Sequence, residues 1–367
     1  MPWVHDLDPI AFRLGSLSIH WYGISYLVGL MQAWAFLWWW QRKGLLPSRD
    51  PRFVGDFVTT VGIAMVLGGR LGYCLFYDWS LLGLIDGFPY WGVLAVHHGG
   101  MASHGGLAGF AIGCWWFCRQ RGLRMGVMGD AIAATAPLGA FCGRIANFVN
   151  GELYGRPTGG DWGVIFPEQV HAQLMALRTK NPAQLKQQLD AWGIHEGFLR
   201  DGKIYTSYTI SENMKTGEHF LSSLTLPERL DAAQLEAWAR LGTPSHPSQL
   251  YAACLEGLIL AAIVIPLHLR HRRPWLTAGT CFALYAVGRF VGEFWRTPDA
   301  GQPGGPPDHL GHSVAPYLGF MSKGQLLTIP LLAIGLALIV AAWRRGPRPQ
   351  DYLPPAAPTP PAAGAAT

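Results

Sequence analysis

The residues best suited to chemistry lie between Gly143 and Thr158, where the sequence reads GRIANFVNGELYGRPT. This stretch begins inside an apolar run, ends in a turn of glycine and proline, and carries Arg144, Asn147 and Glu152. Arg144 and Asn147 are three residues apart, so they share one face of a helix. An apolar environment tolerates such groups only when they pair with each other or with a ligand. We therefore predict the end of a membrane helix that binds an anionic head group; the alternative is a polar cluster that only locks helices together.

Other ionisable residues stand inside separate apolar segments. Arg289, Glu293 and Arg296 follow the spacing i, i+4 and i+7, which places them on one helix face; a simple ion pair is the alternative. His104 stands between two pairs of glycines, which suggests an irregular entry where backbone lines a cavity. A packing histidine is the alternative there. Tyr22 lies near the start of the first segment. We expect it either to support the site or to belong to an interfacial aromatic belt.

The elements that must position these residues are membrane helices. A crossing takes about 20 apolar residues, and basic clusters follow the first, third, fifth and seventh long apolar segments. The positive-inside rule then predicts an outside N-terminus and a cytoplasmic C-terminus. The ionisable residues above all fall in the outer half of the bilayer in this topology. The seven predicted crossings lie near 17–39, 55–78, 98–118, 127–149, 248–269, 276–296 and 322–343.

Composition divides the chain of 367 residues into four parts. Residues 1–155 hold helices 1–4 and the polar stretch, and residues 248–345 hold helices 5–7. Between them, residues 156–247 predict a small extracytoplasmic α/β insert in an otherwise all-α polytopic membrane protein. Residues 346–367 are rich in proline and alanine and predict a disordered tail. In the insert we expect helices at Pro182–Trp192 and Leu226–Leu241, a strand at Lys203–Ile210, and a partner strand near 218–224.

Charge and cysteine usage exclude several classes. The basic clusters account for the net charge of +5, so no nucleic-acid partner is needed. The six cysteines fall in apolar runs, which favours buried thiols over a disulfide framework or a metal site. Asp130, at the start of the fourth segment, predicts a structural role at a helix N-terminus. Arg70, late in the second segment, predicts a side chain that reaches toward the interface.

At these residues the chain resembles the prolipoprotein diacylglyceryl transferases. The resemblance covers about residues 10–345, and its motifs occur in the family's order. Ala146 stands where the signature usually has glycine, Ala252 stands where an acidic residue is common, and the insert is longer than usual. The matching motifs are His20 to Gly23, Gly69 to Tyr73, Ser103 to Leu107, Gly143 to Gly155, His246 to Tyr251, and Arg289 to Asp299.

The resemblance implies a reaction and a location. The family moves a diacylglyceryl group from phosphatidylglycerol to the thiol of the lipobox cysteine in a prolipoprotein signal peptide. A thioether forms and glycerol phosphate leaves. The resemblance further implies a multi-pass protein of the bacterial inner membrane, in contact with the lipid bilayer, that uses neither a cofactor nor a metal.

The resemblance also implies the site residues. The thiol must become a thiolate, and a neutral histidine suits that proton transfer, so His104 is the candidate base. The leaving phosphate gains charge, which arginine stabilises well, so Arg144 and Arg289 are the candidate phosphate ligands. The remaining candidates orient the head group (Asn147 and Glu152), support the site (Tyr22 and Glu293) or shape it as a turn (Gly155).

Three other classes of protein would have different sequences. A secondary transporter would show paired halves with broken helices and midplane sites, and we find no repeat. A metal-dependent phosphatidyltransferase would show several intramembrane aspartates for divalent ions, whereas the apolar segments offer Asp130 and little else. A purely structural lipid-binding protein would not need a base near the cations.

Overall fold

The computed structural model describes residues 2–15, 17–84, 89–95, 100–192, 194, 199–200, 203–204, 207–213, 218–225, 232–298 and 315–353. In these residues the chain is mostly helical. It forms two compact units, and the polar stretch between Gly143 and Thr158 belongs to the first. Unit 1 comprises Met1–Gly29, Leu138–Ile259 and Leu284–Leu331, and unit 2 comprises Leu30–Pro137, Leu260–Ala283 and Leu332–Thr367.

The helices account for most of the described chain. A π-helical turn, Ala253–Ile259, joins α8 to α9, and short 3-10 helices cover Trp79–Leu82, Gly92–Leu94 and Pro349–Tyr352. The α-helices are α1 (Trp21–Arg42), α2 (Phe53–Phe76), α3 (Ser103–Gln120), α4 (Met125–Val149), α5 (Pro167–Ala176), α6 (Pro182–Ala191), α7 (Ala232–Leu241), α8 (Ser248–Ala252), α9 (Leu260–Arg270), α10 (Leu276–Gly292) and α11 (Lys323–Arg345).

Among the described residues, four helices are long and apolar enough to cross a membrane: α2, α4, the continuous helix Ser248–Arg270, and α11. Their mean hydropathy runs from 1.3 to 2.5, and α10 is apolar but shorter, at 17 residues. Each of the seven predicted segments contains a helix. The structure thus describes a mostly helical membrane protein, while seven crossings and their orientation stay a prediction.

The sheets are small. The N-terminal strand β1 pairs in parallel with β4, which joins the start of the chain to the insert. β2 and β3 form an antiparallel hairpin, so the prediction that the first helix begins near residue 17 is wrong; it begins at Trp21. The strands are β1 (Trp3–Val4), β2 (Ile10–Leu14), β3 (Leu17–His20), β4 (Val164–Ile165), β5 (Arg178–Thr179), β6 (Leu199–Arg200), β7 (Lys203–Ile204), β8 (Ser207–Asn213) and β9 (Glu218–Thr225).

The insert has its own apolar core. α6 matches the predicted first helix, and β8 pairs antiparallel with β9, as the alternating pattern predicts. α7 begins at Ala232, and residues 226–231 of the predicted second helix lie outside the described residues. The sequence interpretation missed α5, which packs into the same core. Buried side chains of that core include Ile165, Val170, Leu174, Leu185, Leu189 and Trp238.

Glycines set the packing of α2 against α3 in unit 2. A Cβ at Gly105 would collide with the carbonyl oxygen of Gly68, and Gly72 and Gly109 lie at the same contact. Gly105 lies inside α3, so the prediction of an irregular chain entry beside His104 is wrong for the second glycine pair. Those glycines let two helices approach closely, as small residues do in membranes.

Asp130, the cysteines and the C-terminal segment test three further predictions. Asp130 is buried and accepts a 2.7 Å hydrogen bond from the backbone N–H of Ala278. Its structural role is confirmed, but it binds the start of α10 and does not begin its own helix, which starts at Met125. Four of the six cysteines are buried, while Cys142 is half-buried and Cys254 is exposed. Of the segment predicted to be disordered, the structure describes residues 346–353, where Tyr352 is buried; residues 354–367 lie outside it.

Candidate active site

The loop after α4 is built around two left-handed residues. Gly151 has a φ of +72° and Leu153 a φ of +58°, so the chain turns sharply on both sides of Glu152. The start of α8 holds this turn. Gln249 Nε2 donates to the Glu152 carbonyl at 2.6 Å, and Ser248 Oγ donates to the Leu153 carbonyl at 2.9 Å. Two side chains at the start of a membrane helix therefore fix the backbone of the loop.

Gly155 lies where three chain segments meet. Its N–H donates to the carbonyl oxygen of His246 at 2.9 Å, and it bridges to Arg296 just beyond α10. A Cβ at this position would collide with the His246 carbonyl oxygen and come within 2.6 Å of that of Trp295. The glycine is thus required by the close approach of two backbones.

Arg144 and Arg289 share a carboxylate that the sequence analysis did not select. Arg144 donates to Glu256 Oε2 from Nε at 3.1 Å and from Nη2 at 2.8 Å. The other oxygen of Glu256 lies 3.9 Å from Arg289 Nη1. The Glu256 side chain is only 1% exposed. One buried carboxylate thus lies between the two arginines that the sequence predicts to bind phosphate.

A second carboxylate continues the same network. Glu293 Oε2 lies 2.8 Å from Arg289 Nη1 and 3.7 Å from Arg296 Nη1. Its other oxygen accepts a 2.9 Å hydrogen bond from Ser322 Oγ. The predicted i, i+4 pair of Arg289 and Glu293 is therefore present, and it belongs to a larger cluster.

The three guanidinium groups of Arg144, Arg289 and Arg296 line one small cavity. The carboxylates of Glu256 and Glu293 lie between these arginines and pair with them. The arginine side chains are 16–22% exposed, whereas the two carboxylates are nearly inaccessible. Charges in a low-dielectric setting interact strongly, so the cavity is suited to an anion.

A polar triad stands beside the loop in the same unit. Asn147 Nδ2 donates to Glu152 Oε1 at 2.7 Å and to the Tyr22 hydroxyl at 3.2 Å. Asn147 is buried, and the ring of Tyr26 packs on Tyr22 with centroids 5.2 Å apart. Three of the predicted site residues are thus in direct contact.

Glu256 carries a sequence signal that could have revealed it. It lies in the helix Ser248–Arg270, whose mean hydropathy of 2.2 makes a carboxylate costly. The structure adds a second signal, because Glu256 lies on the π-helical turn Ala253–Ile259. Such turns occur often at functional sites. The ion pairs of Glu256 with Arg144 and Arg289 join residues far apart in the chain, so only the tertiary structure could reveal them.

His5 is another residue that the sequence interpretation missed. Its Nε2 lies 2.6 Å from the carbonyl oxygen of Phe148, so the ring donates to the end of α4. Gly151 packs against the ring, since a Cβ there would meet His5 Nδ1 at 3.2 Å. Burial lowers the pKa of the His5 imidazole, which therefore favours its neutral form. The N-terminal segment thus packs against the loop that follows α4.

His104 belongs to unit 2, where it is the second residue of α3 and is exposed. Arg70 in the same unit is only 2% exposed, so the prediction that it reaches toward the interface is wrong. Its guanidinium instead donates to the carbonyls of Val93 at 3.0 Å and Gly100 at 2.9 Å. Backbone oxygens satisfy this cation and thereby order the approach to α3.

The chain is similar to one family of known proteins over most of its length. The family described as prolipoprotein diacylglyceryl transferase matches residues 9–341. Relatives named phosphatidylglycerol–prolipoprotein diacylglyceryl transferase include one from Bdellovibrio bacteriovorus, 37% identical over 93% of this chain and 94% of the relative. One from Stenotrophomonas maltophilia is 34% identical over 97% and 99%, and one from Xanthomonas euvesicatoria is 35% identical over 96% and 97%. The chain belongs to the prolipoprotein diacylglyceryl transferase family.

Proposed function

We propose that the chain transfers the diacylglyceryl group of phosphatidylglycerol to the lipobox cysteine of a prolipoprotein. The observation that carries this proposal is the cavity lined by Arg144, Arg289 and Arg296, three side chains whose planar donors suit a lipid phosphate. The names of the relatives supply the two substrates, phosphatidylglycerol and prolipoprotein. The reaction is the first step of lipoprotein maturation.

The reaction balances without an added reagent. The cysteine thiolate attacks the carbon of the diacylglyceryl group that bears the phosphate ester. A carbon–sulfur bond forms, the carbon–oxygen bond breaks, and its electron pair stays on the phosphate oxygen. The thiol proton passes to a base, and glycerol phosphate leaves. The protein therefore has to activate the sulfur and to stabilise the charge that gathers on the leaving phosphate.

We assign the stabilisation of the phosphate to Arg144 and Arg289. A guanidinium presents a planar pair of donors that fits two phosphate oxygens. Glu256 and Glu293 keep these forks aligned, since each carboxylate lies within 4 Å of a cavity arginine. Donors fixed in place before the reaction need no reorganisation when charge develops.

We assign the remaining roles from the contacts around the loop and from the family pattern. Asn147, Glu152 and Tyr22 form the polar triad that would orient the glycerol head group. Gly155 shapes the loop through its close contacts. His104 is the proposed base, because a neutral imidazole can accept the thiol proton.

We further propose seven membrane crossings, with the N-terminus outside and the C-terminus in the cytoplasm of a bacterial inner membrane. Support comes from the helix in each apolar segment and from the alternation of basic clusters. In this topology residues 156–247 form an extracytoplasmic insert. The lipobox peptide would then approach from within the bilayer, where the acceptor and the donor lipid both reside.

The test replaces each arginine by lysine, which keeps the charge and removes the planar fork. Arg144→Lys and Arg289→Lys should each lower the rate of thioether formation by at least about tenfold, since a bidentate phosphate contact is lost. The matched control is Arg240→Lys on α7, whose exposed side chain pairs with Glu236. Full activity of both cavity variants at equal membrane abundance would show that the arginines only hold helices together.

A further inference from the structure

A second cavity, with a volume of about 530 Å³, opens in unit 2 at the end of α1. Three cations line it, namely Arg42 and Lys43 from the helix end and Arg49 from the loop that follows. Its lining among the described residues contains no carboxylate. Arg42 is held by an aromatic ring, and none of the three cations forms an ion pair with a described residue. Within the part of the chain that the structure describes, the cavity thus concentrates positive charge with no carboxylate in its lining.

The backbone around this cavity is fixed. Gly44, two residues after the end of α1, has a φ of +69° and reverses the chain. Leu45 and Leu46 are buried and anchor the turn. Gln41 Nε2 donates to the Asp50 carbonyl at 2.5 Å, which closes the loop back onto the helix. Because the loop is fixed at both ends, Arg49 is brought beside the two cations of the helix end.

An aromatic stripe leads from the cavity along α1. The guanidinium of Arg42 lies 3.7 Å from the ring centroid of Trp38. Trp34, one helical turn earlier, stacks on Trp38 with centroids 6.3 Å apart and an interplanar angle of 16°. Both indoles are exposed, at 44% and 37%. Exposed tryptophans on a membrane helix are typical of the interface, where head groups meet acyl chains.

The C-terminal segment forms another part of the cavity wall. Tyr352 and Leu353 line the cavity, and Tyr352 is 4% exposed. Arg124 Nε holds this segment by an ion pair to Asp351 Oδ1 at 3.0 Å. Residues 354–367, which follow, contain no aspartate or glutamate. These residues therefore offer no acidic side chain to neutralise the three cations.

We propose that this cavity binds the phosphate of an anionic phospholipid, with an acyl chain along Trp34 and Trp38. This lipid is additional to the one that the proposed reaction consumes. Basic pockets at the ends of membrane helices are suited to such head groups, and the aromatic stripe favours a lipid over free phosphate. The cavity and stripe do not depend on the transfer chemistry; the proposed topology places the site in the cytoplasmic leaflet.

The test counts bound lipids on the full-length chain. Native mass spectrometry in detergent, with phosphatidylglycerol titrated in, should show a second retained lipid on the wild type. In the triple variant Arg42→Gln, Lys43→Gln, Arg49→Gln its affinity should fall on the order of 100-fold, because each basic residue contributes about fivefold. Arg42→Gln alone should show about a fivefold loss, which keeps the test valid if the triple variant folds poorly.

The matched control neutralises three exposed arginines that do not line the cavity: Arg119, Arg270 and Arg344. This control should keep the second lipid, and an equal loss in both triple variants would overturn the proposal. Trp38→Ala should lower the affinity for the lipid and leave the affinity for inorganic phosphate unchanged. If inorganic phosphate at equal concentration displaces the lipid, or a zwitterionic lipid of the same chains binds as well, the assignment to an anionic phospholipid is wrong.

Discussion

Replacing Glu256 by glutamine tests whether a buried carboxylate aligns the arginines of the candidate active site. Glutamine has nearly the same size and can still accept one hydrogen bond from Arg144. It removes the negative charge that lies within 4 Å of both Arg144 and Arg289. The cavity cluster then keeps only the carboxylate of Glu293. We expect the two guanidinium groups to separate, because their shared counter-ion is gone.

The structure sets the size of the effect. Removing one partner of a buried ion pair costs about 3–5 kcal/mol of stability, and Glu256 is 1% exposed. Losing one aligned donor at a site of developing charge costs about 10²–10³ in kcat. We therefore expect kcat for Glu256→Gln to fall by that factor. The KM for phosphatidylglycerol should stay level or fall, since the added positive charge favours an anion.

The assay follows thioether formation on a fluorescent prolipoprotein peptide in mixed micelles, at equal amounts of folded protein. Glu256→Asp should also lose activity, although its charge is kept, because the shorter side chain withdraws the carboxylate from its 2.8 Å contact with Arg144. Glu236→Gln, on the exposed face of α7, is the matched control and should behave as wild type. A wild-type kcat for Glu256→Gln would refute the alignment of the arginines by Glu256.

Three further predictions concern other residues of the two units. Gly155→Ala should destabilise the loop by about 1–3 kcal/mol and abolish transfer, because its Cβ meets two backbone carbonyls; Gly160→Ala, where a Cβ has ordinary contacts, is the control in the same thermal and activity assays. His104→Gln should lower transfer by about 10²–10⁴ while phosphatidylglycerol still binds, and higher pH should partly restore the rate; normal transfer would remove His104 from the reaction. Burial lowers the pKa of His5, so the unfolded chain binds more protons as pH falls below about 6.5 and stability declines; thermal unfolding of His5→Gln should lose that part of the pH dependence.

Local pattern was enough for much of this protein. Arg144 and Asn147 share a helix face because of their spacing, as do Arg289 and Glu293, and helical geometry acts over a few residues. The apolar segments indicate membrane helices because backbone groups must be satisfied within the segment in lipid. The alternation over Lys203–Ile210 indicates extended chain, and the structure has β7 and the start of β8 there. These features depend on neighbours in the chain, which the sequence shows directly.

Tertiary structure decided which distant residues meet. Glu256 joins Arg144 across 112 positions of the chain, and no local period reports such a pair. Arg70 is satisfied by loop carbonyls, whereas composition suggested a side chain extended toward water. Gly105 serves a helix contact because Gly68 packs opposite. The physical reason is common to all three: a buried polar or small residue takes its role from the partner that folding brings to it.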